Sequence, residues 1–279
     1  MNVRVALLLA IVVATGVWVR SLSQPPIATL YFPHGDHLFP VSRRLGTTDD
    51  LARATLQALL DGPSASSGLT KVFPADVRIR SFSMSNGLAR VDLKVGSSKN
   101  SEGGGGMSAA ATAIVETLTA VPGVRSVSLT EEGTPIAGPA TRTPLLYYAS
   151  LDGLVAVPAA AANARDAVAA YLNGPGDGAL TGIPRDVRLL KYDYSKEDGL
   201  ASLDFSYTES VRTLALEKPD IMRSVLLGVI ASLTEYAEVR AVRIDFDGHS
   251  RLGLGECSDL LRTPQRRPRL LNDERLLGR

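Results

Sequence analysis

Apolar and polar positions follow two rhythms along this chain. Val77 and Ile79 alternate with Arg78 and Arg80, and Ala89, Val91, Leu93 and Val95 alternate with Arg90, Asp92 and Lys94. A period of two predicts a pair of half-buried strands, and Asn86-Gly87 between them signals a hairpin. Helical periods flank the pair. Ala52, Leu56, Leu59 and Leu60 share one face of a helix from about Thr48, with Asp49 and Asp50 in the first turn, where the helix dipole favours negative charge. Gly62 accepts the backbone conformation that stops a helix, and Pro63 prevents continuation. Ile114, Val115, Leu118 and Val121 form the stripe of a second helix. A short strand at Leu30 to Phe32 opens the unit and one with Val127 and Leu129 closes it. The predicted order is β-α-β-β-α-β, a small three- to four-stranded sheet with two helices on one face.

The whole order is then written again. "LYFP" at 30–33 is answered by "LYYA" at 146–149, "LLDGP" at 59–63 by "YLNGP" at 171–175, and "GLARVDL" at 87–93 by "GLASLDF" at 199–205. "TLTAVPGVRSV" at 117–127 is answered by "SLTEYAEVRAV" at 232–242, so the offset stays between 110 and 116. Val229, Ile230, Leu233 and Tyr236 repeat the second helical stripe, and Val242 and Ile244 the closing strand. Loop insertions in a duplicated domain produce that small drift. The expected organisation is a fold of class α+β: an N-terminal segment 1–26, a first domain 27–133, a Gly- and Pro-rich linker 134–144, a second domain 145–248 and a basic, flexible tail 249–279.

The N-terminal segment runs uncharged for 15 residues between Arg4 and Arg20. As a helix these span roughly 22 Å against a hydrocarbon core of about 30 Å. Two readings follow, a cleaved signal peptide with Ser21 and Ser23 before the cut, or an uncleaved anchor in which Trp18 sits at the interface and the flanking arginines snorkel. Both put the rest of the chain outside the cytoplasm.

Composition mainly excludes. Thirty Lys and Arg against 29 Asp and Glu give a net charge of +1, with no global field to draw nucleic acid. The one cysteine, Cys257, permits neither an intramolecular disulfide nor a cysteine metal cluster. "HGDH" at 34–37 gathers His34, Asp36 and His37 in a turn, which reads as an exposed turn, since a metal needs further fixed ligands. "GGGG" at 103–106 lacks the strand before it and the Lys-Ser or Lys-Thr after it that a phosphate loop has, and reads as a flexible approach to the second helix. Both copies keep Asp76, Arg78, Asp92, Thr119 and Arg125, echoed by Asp186, Arg188, Asp204, Thr234 and Arg240. No shared His, Cys or second carboxylate accompanies them at catalytic spacing. Cross-strand pairing of Arg78 with Asp92 accounts for them without chemistry. No catalytic residue, metal site or cofactor is expected.

These motifs, with "VFPADV" answered by "GIPRDV" and a closing Glu-Gly or Asp-Gly turn, resemble the GerMN domain of bacterial sporulation and spore germination proteins, in two tandem copies. The resemblance covers about 220 residues. It implies an extracytoplasmic, non-catalytic module akin to the ring-building domains of secretion and sporulation channels, working through protein partners in an envelope complex or through self-association. Members are often lipoproteins, whereas no cysteine follows the apolar run here. The membrane is expected to be reached through the N-terminal segment, nucleic acid not at all, and a cell-wall polymer weakly through the basic tail; a wall- or ligand-binding module is the alternative reading, and an envelope hydrolase the more distant one.

Overall fold

In a computed structural model, which describes residues 25–96 and 106–277, the two rhythms become strands and helices of two like copies, each with elements beyond the expected β-α-β-β-α-β order, among them a third helix in the second copy. The first copy runs β1 (Ile27–His34), β2 (His37–Arg44), α1 (Leu51–Asp61), β3 (Arg78–Ser85), β4 (Leu88–Lys94), α2 (Gly106–Thr119), β5 (Ser126–Glu131) and β6 (Thr134–Thr141). The second runs β7 (Leu145–Ala149), β8 (Leu154–Pro158), α3 (Ala164–Leu172), β9 (Leu189–Ser195), β10 (Leu200–Phe205), α4 (Glu209–Glu217), α5 (Pro219–Leu233) and β11 (Ala241–Phe246). A short α6 (Ser258–Arg262) follows. The fold is α+β with tandem units. The N-terminal apolar run and Gly103 to Gly105 lie outside the described residues, among which no helix is long and apolar enough to cross a membrane.

Each copy builds its own sheet, in the order β3-β4-β5-β6 and β11-β10-β9. β4 and β5 run parallel, as do β10 and β11, with the helices of the crossover between them. Alternation fixes the faces: Ala89, Val91, Leu93, Val127 and Leu129 are buried in the first core, and Ala201, Leu203, Phe205, Val242 and Ile244 in the second.

Four local expectations change. Asp50 stands outside α1 as its N-cap, accepting the N–H of Arg53 at 2.9 Å, so the helix begins at Leu51 rather than Thr48. The opening strand is half of a hairpin whose second strand, "HLFPVSRR", was not foreseen; "HGDH" is its turn, with Gly35 at φ 59°. The linker carries β6, paired with β5. Its prolines and glycine disguise an edge strand, where a missing N–H costs little. The tail expected to be flexible is packed: Leu254, Cys257, Leu260 and Leu261 enter the second core and Leu277 the first. Those side chains have no common period, so a periodicity argument could not see them.

The opening hairpins leave their own sheets and meet in a third, β1-β2-β8-β7, shared by both copies. β2 and β8 touch through the registered pair Leu38 and Ala156. Helices cover the outer edges of this sheet in the same way on both sides. The N–H of Tyr31 in β1 donates to Thr117 Oγ1 of α2 at 3.0 Å, and that of Tyr147 in β7 donates to Ser232 Oγ of α5 at 2.8 Å. Unpaired strand edges are thereby capped by hydroxyls one repeat apart.

Candidate functional site

Several of the polar residues shared by the copies are spent on backbone geometry. Asp92 Oδ1 accepts the N–H of Gly133 at 2.9 Å, and Asp204 Oδ1 accepts that of Gly248 at 2.9 Å. Each closes a turn whose two residues have positive φ, Glu132-Gly133 at 48° and 87° and Asp247-Gly248 at 47° and 73°. The Gly133 N–H, ahead of the Thr130 hydroxyl, holds the Asp92 carboxyl below its usual range. Asp92 also accepts from Arg80 at 2.9 Å, so the expected pairing with Arg78 is corrected: a register shift between Ile79 and Ser81 brings Arg80 to the carboxylate. Arg78 instead donates to the carbonyls of Ala75 and Val77.

The other shared positions behave alike. The N–H groups of Arg125 and Ser126 both reach the Gly87 carbonyl, and those of Arg240 and Ala241 the Gly199 carbonyl. Gly87 and Gly199 have φ of 77° and 64°, the left-handed region, which explains both glycines. Thr119 and Thr234 donate back to the carbonyls of Val115 and Ile230 at the ends of α2 and α5. Asp76 and Asp186 instead sit in matching turns closed by the N–H groups of Val77 and Val187 on Pro74 and Pro184, and the Asp76 Oδ1 is buried without a hydrogen-bond partner among the described residues; Arg188 is exposed, and its N–H donates to Ser206 Oγ. No group of three His, Cys, Asp or Glu able to hold a metal occurs among the described residues. Of "HGDH", His37 is drawn to the second copy, 3.1 Å from Asp177 Oδ2. Cys257 is buried, and burial raises its thiol pKa, so it is not activated.

The concentrated polar chemistry lies where the copies meet. Arg142 from the linker, Arg267 from the tail, Glu116 of α2, Glu235 after α5, Tyr31 and Tyr147 converge there. Arg142 Nε stands 2.6 Å from Glu235 Oε2 and 3.6 Å from Glu116 Oε2, and Arg142 Nη2 donates to the Tyr31 hydroxyl at 2.6 Å. Arg267 Nη2 reaches Glu235 Oε1 at 2.6 Å and the Tyr147 hydroxyl at 3.0 Å. The two phenols are 2.7 Å apart, and Tyr147 donates to Glu235 at 2.7 Å. Burial pushes the Tyr147 pKa far up, keeping it a neutral donor. Two guanidiniums thus face two carboxylates in a closed seam. Burial also pushes the Glu116 carboxyl up to about 7, against the pull of Arg142, and its Oε2 has no hydrogen-bond partner. Such a seam fixes geometry and offers no open position for a substrate.

A family model described as Germane, sporulation and spore germination, matches residues 29–137 and again residues 145–251. The chain belongs to the Germane family. Among solved structures it is similar to the tandem GerMN domains of the sporulation protein GerM from Bacillus subtilis, at 20% identity and a TM-score of 0.67, over 89% of this chain and 99% of that one. The first GerMN domain of the same protein matches at 18% identity and a TM-score of 0.33, over 42% of this chain and 98% of that one. Among curated proteins none matches. The Germane description names a developmental process and no reaction.

None of the six residues at the joint was singled out from the sequence. Tyr31 and Tyr147 lie inside the "LYF" and "LYY" motifs and Glu235 inside "SLTEYAEVRAV", the signals that point there.

Proposed function

We propose that this Germane protein is a non-catalytic assembly protein of the bacterial cell envelope, acting in sporulation or germination through contacts with protein partners or further copies of itself. On this reading the N-terminal segment directs it out of the cytoplasm, as a retained anchor or a cleaved signal.

The observation that carries the proposal is β9. It is an edge strand of its sheet and leaves Leu190 and Tyr194 exposed, at 54% and 37%, whereas the edges of the shared sheet are covered by α2 and α5. An uncovered edge with apolar side chains is a surface built to pair. The engagement of Asp92, Asp204, Thr119 and Thr234 in turns and helix ends supports the absence of catalysis. A void between α3, α5 and β10 has about 10 Å³, lined by Ala167, Tyr171, Phe205 and Leu233 among others, too small for a ligand.

Tagged full chain, extracted in mild detergent from sporulating cells, is expected to migrate as a complex larger than the monomer. Leu190→Asp with Tyr194→Asp should dissolve that complex while circular dichroism stays unchanged. A full-length protein that remains monomeric in those cells overturns the proposal, as does loss of activity in Asp92→Asn with folding and partner binding intact.

A further inference from the structure

We propose that the C-terminal residues 264–277 are a releasable clasp that locks the two domains at one angle. The shared sheet leaves room for one. β2 and β8 meet through Leu38 and Ala156, and beyond that pair the two strands are bridged by the tail. Asn272, 7% exposed, is wedged between them. Its side-chain amide donates to the Pro40 carbonyl of β2 at 2.7 Å and to the Leu154 carbonyl of β8 at 2.8 Å, while its Oδ1 accepts the Leu154 N–H at 2.8 Å. Its own carbonyl accepts the Ser42 N–H at 2.7 Å. One side chain therefore satisfies backbone groups of both domains that the separating strands would leave buried and unpaired. A Cβ on Gly153 would lie 2.4 Å from Asn272 Oδ1, so the turn between β7 and β8 is shaped around it.

The next residues grip the first domain. Glu274 takes two hydrogen bonds from Arg43, at 2.6 and 2.5 Å, and one from the Ser64 N–H at 2.8 Å. Arg43 in turn donates to Ala58 and Gly62, the carbonyls left open where α1 stops. Upstream, Gln265 exchanges two backbone hydrogen bonds with Val242 and Arg267 joins the buried seam.

Release follows from how unequally the tail is held. Leu254, Cys257, Leu260 and Leu261 anchor it in the second core, whereas on the first domain its buried apolar contact is Leu277. Arg262, Thr263, Pro264 and Arg266 between these parts are exposed. The grip on the first domain is thus mostly polar, and once the strands part water can take over its hydrogen bonds, whereas the second-domain anchor is apolar and stays buried. Losing that grip returns the β2–β8 seam to one registered pair, while Arg267 keeps its second-domain partners Glu235, Tyr147 and Ala231. The inference concerns the joint and stands apart from the proposed assembly role.

Spin labels at Ser83→Cys and Lys196→Cys, one in each domain and both exposed, report the angle in the full chain in detergent. A single narrow distance is expected, broadening when residues 264–279 are deleted. Asn272→Ala, a milder change that keeps the whole tail, should speed amide exchange at Leu154 about tenfold or more, with Val91 and Ala201 unchanged. A distance that stays narrow after deletion, together with unchanged exchange in Asn272→Ala, overturns the clasp.

Discussion

Position 116 of the first copy is a buried glutamate and its counterpart, Ala231, is an alanine; Glu235 answers Ala120 in the opposite sense. At the next position, Thr117 and Ser232 do the same task on Tyr31 and Tyr147. After duplication, residues that cap an edge or close a turn inside one copy stay alike, because both copies face the same local problem. Residues at the joint face the other copy across a seam that is only roughly symmetric, and there the pairing must be complementary. The linker and tail, which have no counterparts, supply both cations. The divergence between copies therefore marks the contact between them, and likeness marks the fold within each.

The largest expected effect is at Arg142. Replacing it with Ala leaves Glu116 without a nearby cation and Glu235 with Arg267 alone. Breaking a buried pair from one side costs about 3–5 kcal/mol, because the remaining charge is stranded. Chemical denaturation at pH 7 measures it. Adding Glu116→Gln to Arg142→Ala should recover part of the loss; strictly additive losses would mean that the two residues do not share a seam.

Glu116 alone gives a pH signature. Its carboxyl titrates at about 7 in the folded protein against 4.5 in the free side chain, chiefly through burial. The folded state therefore holds the proton more tightly. The stabilisation is fully present below about 4.5 and is lost as pH rises through about 7, amounting to at most about 3 kcal/mol. Glu116→Gln keeps the neutral shape and should flatten that fall, so that variant and parent match at pH 4.5 and diverge by pH 8. Parallel stability curves for the two proteins would exclude Glu116 as the titrating group.

Much of this fold was legible from the sequence because each copy repeats the strand alternation and the helical stripes, and because Gly62, Gly87, Gly174 and Gly199 mark turns that no other residue makes easily. β2 escaped because "HLFPVS" is apolar on both faces, as a strand buried from both sides must be, and offers no alternation. The seam escaped for a different reason. Glu116, Arg142, Glu235 and Arg267 are ordinary charged residues in sequence, and their burial depends on where β1 and β7 bring the two copies together. The tail's role rests on Asn272, whose importance comes from three backbone groups supplied by β2 and β8.

The smallest effect separates the two helices that cap the shared sheet. In α5, a Cβ at Gly228 would sit 2.2 Å from the Tyr147 carbonyl oxygen and 3.0 Å from the Tyr171 hydroxyl. Backbone cannot yield as a side-chain end does, so α5 must back away from β7. The hydrogen bonds from Tyr147 N–H to Ser232 Oγ, and from Ser232 Oγ to the Gly228 carbonyl, would stretch. In α2 the corresponding position, Ala113, already carries a Cβ and is fully buried, so that helix lies against β1 without needing the glycine. Gly228→Ala should therefore destabilise by about 1–3 kcal/mol through overpacking, although alanine is the better helix former by about 1 kcal/mol. Exchange at the Tyr147 amide should quicken while that at Tyr31 holds. If Gly228→Ala instead stabilises the protein by the helix-propensity amount, the close approach of α5 to β7 is wrong and the two caps are equivalent after all.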